Sequence, residues 1–216
     1  MEWLTVAVAK GRLEKETMKR LKAAGMAQSV DAASRKLIFK DEQDGIAYLF
    51  VKPVDVVTYV EKGVADIGIV GSDIILEQGL PVYELMALSF GKCAFAVAGF
   101  PETQLYGSEK VLKIATKFPN IAKKYFAGKR EVEVTYLNGS VELAPIVGMA
   151  DCIVDLVETG NTLKANGLVA LEKMFDIQAK IVANHTSYGF LYEKIQDFLS
   201  NFEQEDDLDA ANYIWE

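Results

Sequence analysis

Residues Ala150 to Gly167 read ADCIVDLVETGNTLKANG. Ile153, Val154, Leu156 and Val157 form a short apolar, β-branched run, the composition of a buried strand in a covered sheet. Asp155 interrupts it, and Glu158-Thr159-Gly160-Asn161-Thr162 follows as a tight polar turn. Leu163 to Asn166 then reads as the first turn of a helix. A strand, a glycine-containing turn rich in hydroxyls and a helix start together make an anion cradle. The free N–H groups at a helix start point into the turn and suit a phosphate. Thr159 and Thr162 add hydroxyl donors, and Gly160 lets the backbone come close. The competing reading is an ordinary strand-to-helix connection with Thr162 as N-cap.

The chain opens on a related arrangement. Leu4 to Ala9 is a strand, Lys10-Gly11-Arg12 follows at once, and Leu13, Thr17, Met18 and Leu21 then share one helical face up to Gly25. Two cations therefore stand at a strand end beside a helix start. Surface charge is the default for such a pair. Phosphate contact is the alternative, because ligands of open α/β sheets gather at the carboxyl ends of strands.

Between these stretches the chain alternates. Lys36 to Lys40 and Ile46 to Val51 read as paired strands around a polar turn. Pro53 and Asp55 open a helix through Val60 that Gly63 closes, although its β-branched residues favour strand. Ala65 to Asp73 is a buried strand running into a turn that Ser72 or Asp73 caps, and Gly68 within it signals a close backbone approach. Val82 to Phe90 is a further strand. The pattern then restarts at Lys92: strands at Cys93–Ala98, Val111–Thr116 and Glu131–Leu137, a helix at Pro119–Phe126, and a segment from Val141 to Met149 broken at Pro145. After apolar runs with strand character at Val169–Phe175 and Gln178–Asn184, Thr186 or Ser187 caps an amphipathic helix carrying Phe190, Leu191, Ile195, Phe198 and Leu199. The acidic run Glu203 to Asp209 reads as a solvated turn before a short tail, and docking of that tail would bury Trp3 or Trp215. Two blocks of about four strands each emerge, 1–91 and 92–179, and the chain then ends in a helix. The fold expected is two open α/β lobes with a central cleft, a frequent ligand site.

Bulk properties narrow the function. The 216 residues are half apolar and carry a formal net charge of −8, which argues against a broad nucleic-acid surface while leaving room for a local basic pocket. Cys93 and Cys152 sit in apolar runs and read as buried free thiols. With a single histidine, His185, and no paired-cysteine motif, a structural zinc site has almost no candidates. His185 beside capping residues reads as structural. No signal peptide or membrane-length apolar run is seen, so a cytoplasmic protein is expected.

Four stretches carry a family resemblance: Lys10-Gly11-Arg12-Leu13, Asp55 through Asp73, Phe90-Gly91-Lys92-Cys93 and, above all, Asn138 through Leu168. They resemble the short form of ATP phosphoribosyltransferase, which performs the first step of histidine biosynthesis. The resemblance implies the two-lobed fold of type II periplasmic binding proteins, with a discontinuous first lobe made of 1–91 and the returning 180–216. It also implies a regulatory subunit resembling histidyl-tRNA synthetase, in a hetero-octamer. The family's long form carries an added histidine-binding domain. This sequence stops after one helix and a tail, so histidine feedback is expected only through the partner. The implied substrates are ATP and phosphoribosyl pyrophosphate, with Mg²⁺ held mostly by the pyrophosphate.

On this reading Glu158, Thr159, Gly160, Asn161 and Thr162 hold the ribose 5′-phosphate, and Asp155 faces the ribose hydroxyls. Asp151, four residues earlier and on the same strand side by period two, shares that site or lies in solvent. Glu142 accepts ribose hydroxyls, helps hold Mg²⁺, or is a capping residue. Lys10 and Arg12 neutralise phosphates of ATP or of the leaving pyrophosphate. Asp66, Gly71 and Asp73 line the cleft, with Asp73 the better helix cap. Two other readings stay open: a non-catalytic small-anion binding module of the same fold, and a phosphoribosyltransferase for another nucleobase. An inactive subunit serving an assembly is a third.

Overall fold

The computed structural model describes residues 3–31, 34 and 36–211. The chain folds into two units, Met1–Gly91 with Gln178–Glu216, and Lys92–Ile177.

The first unit is built on a six-stranded mixed sheet ordered β2-β3-β1-β4-β11-β5. At its centre β1 (Leu4–Ala9), β3 (Ile46–Val51) and β4 (Ile67–Gly71) run parallel. β2 (Ile38–Asp41) pairs antiparallel with β3 at one edge. β11 (Ala179–Ala183) pairs antiparallel with β4, and β5 (Tyr83–Ala87) with β11. Helices α1 (Arg12–Ala23), α2 (Pro53–Glu61) and α3 (Ser72–Gln78) follow β1, β3 and β4 directly. The central strands are buried along their length, as strands covered on both faces must be.

Helix α2 shows tertiary burial overriding propensity. Val56, Val57 and Val60 favour strands, yet all three are fully buried and Pro53 sits in the first turn. The helix lies so close to β4 that a Cβ on Gly68 would meet the Val56 and Val60 side chains at 2.8 Å. The close approach anticipated at Gly68 is therefore the seat of α2.

The second unit is a five-stranded sheet ordered β10-β6-β9-β7-β8. β7 (Leu112–Thr116) lies parallel to both β8 (Val132–Tyr136) and β9 (Cys152–Val157). β6 (Cys93–Gly99) runs antiparallel to β9, and β10 (Val169–Ile177) antiparallel to β6. Helices α4 (Pro119–Phe126), α5 (Leu143–Ile146) and α6 (Asn161–Ala165) complete it. Pro145 limits α5 to four residues.

Five expectations change. The sheets have six and five strands rather than about four each, with the strand-like runs after Gly167 supplying β10 to one sheet and β11 to the other. Gln178 and Ala179 belong to the first unit: Ser72 N donates to Gln178 O at 2.9 Å, and Ala179 pairs with Gly71. Cys93 is half-buried, not buried; Cys152 is buried. Asn184, not Thr186 or Ser187, caps the C-terminal helical segment, its Oδ1 accepting from both of those amides. That segment is two helices, α7 (His185–Phe190) and α8 (Tyr192–Ala211), so the acidic run is helical rather than a turn. A run of like charge reads as solvated either way; the amphipathic face that precedes it extends the helix. Tyr213, Ile214 and Trp215 lie outside the described residues.

Candidate functional site

In the second unit, β9 ends at Val157 and α6 begins at Asn161. Gly160 is the N-cap, with φ 71° and ψ 6°, a left-handed conformation that glycine adopts without strain. Thr162, weighed as the cap, sits one residue inside the helix, and no side chain caps it. The first amides of a helix have no carbonyl partner within the helix, and the start of α6 carries such N–H groups. Thr159 Oγ1 takes the Asn161 amide at 3.4 Å, and Asn166 Nδ2 donates to Thr162 O at 2.9 Å.

The turn encloses a pocket of about 240 Å³ lined by Glu142, Asp155 and the whole run from Leu156 to Leu163. Glu142 reaches it from another element. The turn Asn138-Gly139-Ser140, with Ser140 at φ 49°, swings the chain into α5, and Glu142 stands at that helix start. Asp155, on β9 beside the turn, is half-buried. Burial raises its pKa above the ordinary carboxylate value, and the Glu142 carboxylate adds to the rise. The Leu156 backbone N–H and the Lys117 ammonium oppose it. Asp155 is thus a carboxylate whose ionised form depends on its surroundings.

Asp151 is not brought to this pocket. It precedes β9 at the opposite end of the strand, where its Oδ2 accepts the Lys113 amide at 2.8 Å. Period two places both carboxylates on one side of a strand, but four residues of extended chain separate them by roughly 13 Å.

In the first unit, Lys10-Gly11-Arg12 joins β1 to α1 at the carboxyl end of the parallel strands. Lys10 N donates to Val51 O at 2.8 Å, which anchors the turn on β3. Gly11 has φ 99° and is the α1 N-cap, and Glu14 Oε2 accepts its amide at 3.0 Å. That donor is therefore occupied, and the turn offers cations rather than free amides there. Gly71 ends β4 at the same end of the sheet, and Asp73, in the first turn of α3, folds its carboxylate back against Gly71. Asp66 lies at the other end of β4. Its Oδ2 accepts Thr5 N at 2.7 Å and its Oδ1 accepts Ser187 Oγ at 2.6 Å. Asp66 thus ties β1, β4 and α7 together and does not join Lys10 and Arg12.

Lys117 was missed by the sequence reading. It follows β7 directly and acts on Asp155 by charge. The strand-end rule that singled out Lys10 applies equally to it. Among the described residues no cluster of three or more histidine, cysteine, aspartate or glutamate side chains could hold a metal ion. His185 packs its ring against Tyr83 at 4.0 Å. Among the described residues no helix is long and apolar enough to cross a membrane.

Comparison with known proteins bears on the whole chain. The family model described as "HisG: ATP phosphoribosyltransferase" matches residues 52–204. An ATP phosphoribosyltransferase of Clostridioides difficile (strain 630) is 58% identical over 95% of this chain and 100% of its own length. One from Caldicellulosiruptor bescii is 49% identical, over 93% and 98%. The fold is similar to a chain of the ATP phosphoribosyl transferase (HisG:HisZ) complex from Thermotoga maritima, with TM-score 0.83 and 36% identity over 94% of this chain and 98% of that one. The periplasmic aliphatic sulphonate binding protein SsuA from Escherichia coli superposes with TM-score 0.62 at 16% identity, over 98% of this chain and 75% of that one. That likeness is one of fold alone.

Proposed function

The chain belongs to the ATP phosphoribosyltransferase family and has that activity, the first step of histidine biosynthesis, and from that premise we propose how its two strand-end turns divide the work. The reaction joins N1 of the ATP adenine to C1 of phosphoribosyl pyrophosphate and releases pyrophosphate. Direct displacement inverts C1 and needs no covalent nucleophile. It needs alignment of the reactants, stabilisation of an oxocarbenium-like ribose, and help for the departing pyrophosphate.

The turn Glu158–Thr162 holds the ribose 5′-phosphate through its amides and the Thr159 and Thr162 hydroxyls. Asp155 and Glu142 accept the ribose hydroxyls. Lys10 and Arg12, with Gly71 beside them at the sheet end, take phosphates of ATP or of the leaving pyrophosphate. Mg²⁺ arrives with the substrate's pyrophosphate. The observation that carries this reading is the pocket itself: hydroxyls, a left-handed glycine and a helix start meet two carboxylates from separate elements in about 240 Å³.

The chain further works as the catalytic subunit of the short form, in the cytoplasm, with a regulatory subunit resembling histidyl-tRNA synthetase in a hetero-octamer. The support is the likeness to the Thermotoga maritima complex. The test is pyrophosphate release by the purified chain with ATP, phosphoribosyl pyrophosphate and Mg²⁺, with and without that partner, the adduct being identified by mass. An ATP–phosphoribosyl adduct that rises strongly with the partner is expected. Full activity unchanged by the partner would remove the dependence while keeping the chemistry.

A further inference from the structure

The backbone passes between the two units twice, at Gly91–Lys92 and at Ile177–Gln178. On the first-unit side both passages are tied down. Leu88 N donates to Ala179 O at 2.9 Å and Ala179 N to Phe90 O at 3.1 Å, so the outgoing and returning segments pair with each other. Ser72, the first residue of α3, holds the returning segment twice. Its N–H donates to Gln178 O at 2.9 Å, and its Oγ accepts the Gln178 amide at 3.2 Å. Gly71 pairs with Ala179 in the sheet, which puts these ties at the carboxyl end of β4.

Helix α1 holds the outgoing segment. Leu13, Thr17 and Arg20 recur at i, i+4 and i+7 along one face of that helix. A Cβ on Gly91, which has φ 68°, would meet Leu13 Cδ2 at 2.8 Å, so Leu13 sits directly against the glycine. Arg20 is only 4% exposed. Its Nη2 donates to Ser89 Oγ at 3.3 Å, and its guanidinium carbon lies 4.3 Å from the centre of the Phe90 ring. Its Nη1 pairs with Glu16 Oε1 at 3.2 Å, but Glu16 is 37% exposed and keeps contact with water. Burying an arginine is costly, and an apolar side chain of similar volume fills such a site as well or better. The guanidinium adds what an apolar residue lacks, a directed bond to Ser89 and attraction to the face of Phe90. α1 opens at the Lys10-Gly11-Arg12 turn and α3 opens at Gly71, so two helices that start at the ligand end of the sheet also grip the passages.

We propose that Arg20 is a positioning residue for the transfer step: by holding Ser89 and Phe90 to α1, it fixes the outgoing chain to the helix that carries the Lys10–Arg12 turn. It acts on the alignment of the reactants and not on the binding of either. This rests on the assignment of pyrophosphate to the first turn and of the ribose 5′-phosphate to the second. Joining N1 to C1 requires both turns to act on one pair of atoms, and a small misplacement slows such a step steeply while each phosphate contact survives.

The test combines steady-state kinetics of the full-length chain, with the regulatory subunit added, with thermal unfolding and calorimetric affinities for pyrophosphate and ribose 5-phosphate. Arg20→Met is expected to lower kcat roughly tenfold or more while both affinities stay within about twofold of wild type. Its Tm should fall by a few degrees at most, because the buried charge is replaced by apolar volume. Phe90→Leu should lower kcat likewise, and in that background Arg20→Met should cost less than about twofold more. Leu21→Ala, in the core of α1, should lower Tm and leave kcat unchanged at a temperature where the chain is folded. A wild-type kcat in Arg20→Met would overturn the proposal. So would a kcat loss in Leu21→Ala as large as that in Arg20→Met, which would make the effect one of stability alone. Equal loss from Arg20→Met with and without Phe90, or affinities that fall as far as kcat, would overturn it too. Pyrophosphate affinity unmoved by Lys10→Ala with Arg12→Ala would instead remove the assignment of the first turn, and this proposal with it.

Discussion

Two turns of this molecule share a plan and differ in what they offer an anion. Lys10–Arg12 and Glu158–Thr162 each follow a strand, each open a helix, and each use a glycine of positive φ as N-cap. In the first, Glu14 occupies the glycine amide and the turn is flanked by cations. In the second, no side chain caps the helix, hydroxyls line the turn and the nearby charges are carboxylates. The first supplies charge on flexible stems. The second supplies fixed donors of defined geometry. Flexible charge suits a departing pyrophosphate or a triphosphate, whose oxygens move during the reaction. Fixed donors suit a phosphate monoester that only anchors the sugar.

The division is most exposed to removal of the cations. Lys10→Ala combined with Arg12→Ala should lower kcat/KM by a hundredfold or more, since two charge-assisted contacts of about 1.5–3 kcal/mol each are lost. Binding of ribose 5-phosphate should be unchanged, and a parallel loss there would erase the distinction. In the second turn, Thr159→Ala and Thr162→Ala should each cost about 1–3 kcal/mol of affinity. The loss should fall equally on ribose 5-phosphate and phosphoribosyl pyrophosphate, as titration of both ligands would show.

Salt gives a gentler separation. At molar ionic strength the screening length falls to about 3 Å, so pyrophosphate affinity should drop well before that of ribose 5-phosphate. Similar salt slopes would indicate that both turns work by charge. The smallest effect expected is on stability. Burial raises the Asp155 pKa in the fold, so between its unfolded and folded values the native chain binds more protons than the unfolded one. Stability therefore falls as pH rises through that window, and the penalty is complete above it. Asp155→Asn should raise Tm at neutral pH by a few degrees at most, with the gain vanishing below the unfolded carboxylate value, even as substrate binding weakens. A lower Tm at neutral pH would show that the charged form stabilises the lobe.

What could be read along the chain follows from local chemistry. The β9 strand, its polar turn and the helix start after it were legible because apolar run, glycine and hydroxyls lie in one contiguous stretch. The same holds for Lys10-Gly11-Arg12 and for the close approach at Gly68. The acidic segment was less legible: Glu203 to Asp209 carries no apolar periodicity of its own, and its helix continues from the buried face of Ile195, Phe198 and Phe202.

The sequence by itself determined which turns have the chemistry of anion sites, since donors, charges and backbone freedom are properties of neighbouring residues. Only the tertiary structure decided which side chains meet there. Asp66 and Asp151 stand in suggestive stretches, yet the structure uses their carboxylates on the backbone amides of Thr5 and Lys113 at the far ends of their strands. Thr116 meets Val154, 38 positions further along the chain, only because β7 and β9 pair in one register. Strand register is set by packing of buried faces across the whole sheet, and a site assembled across strands inherits its membership from that register.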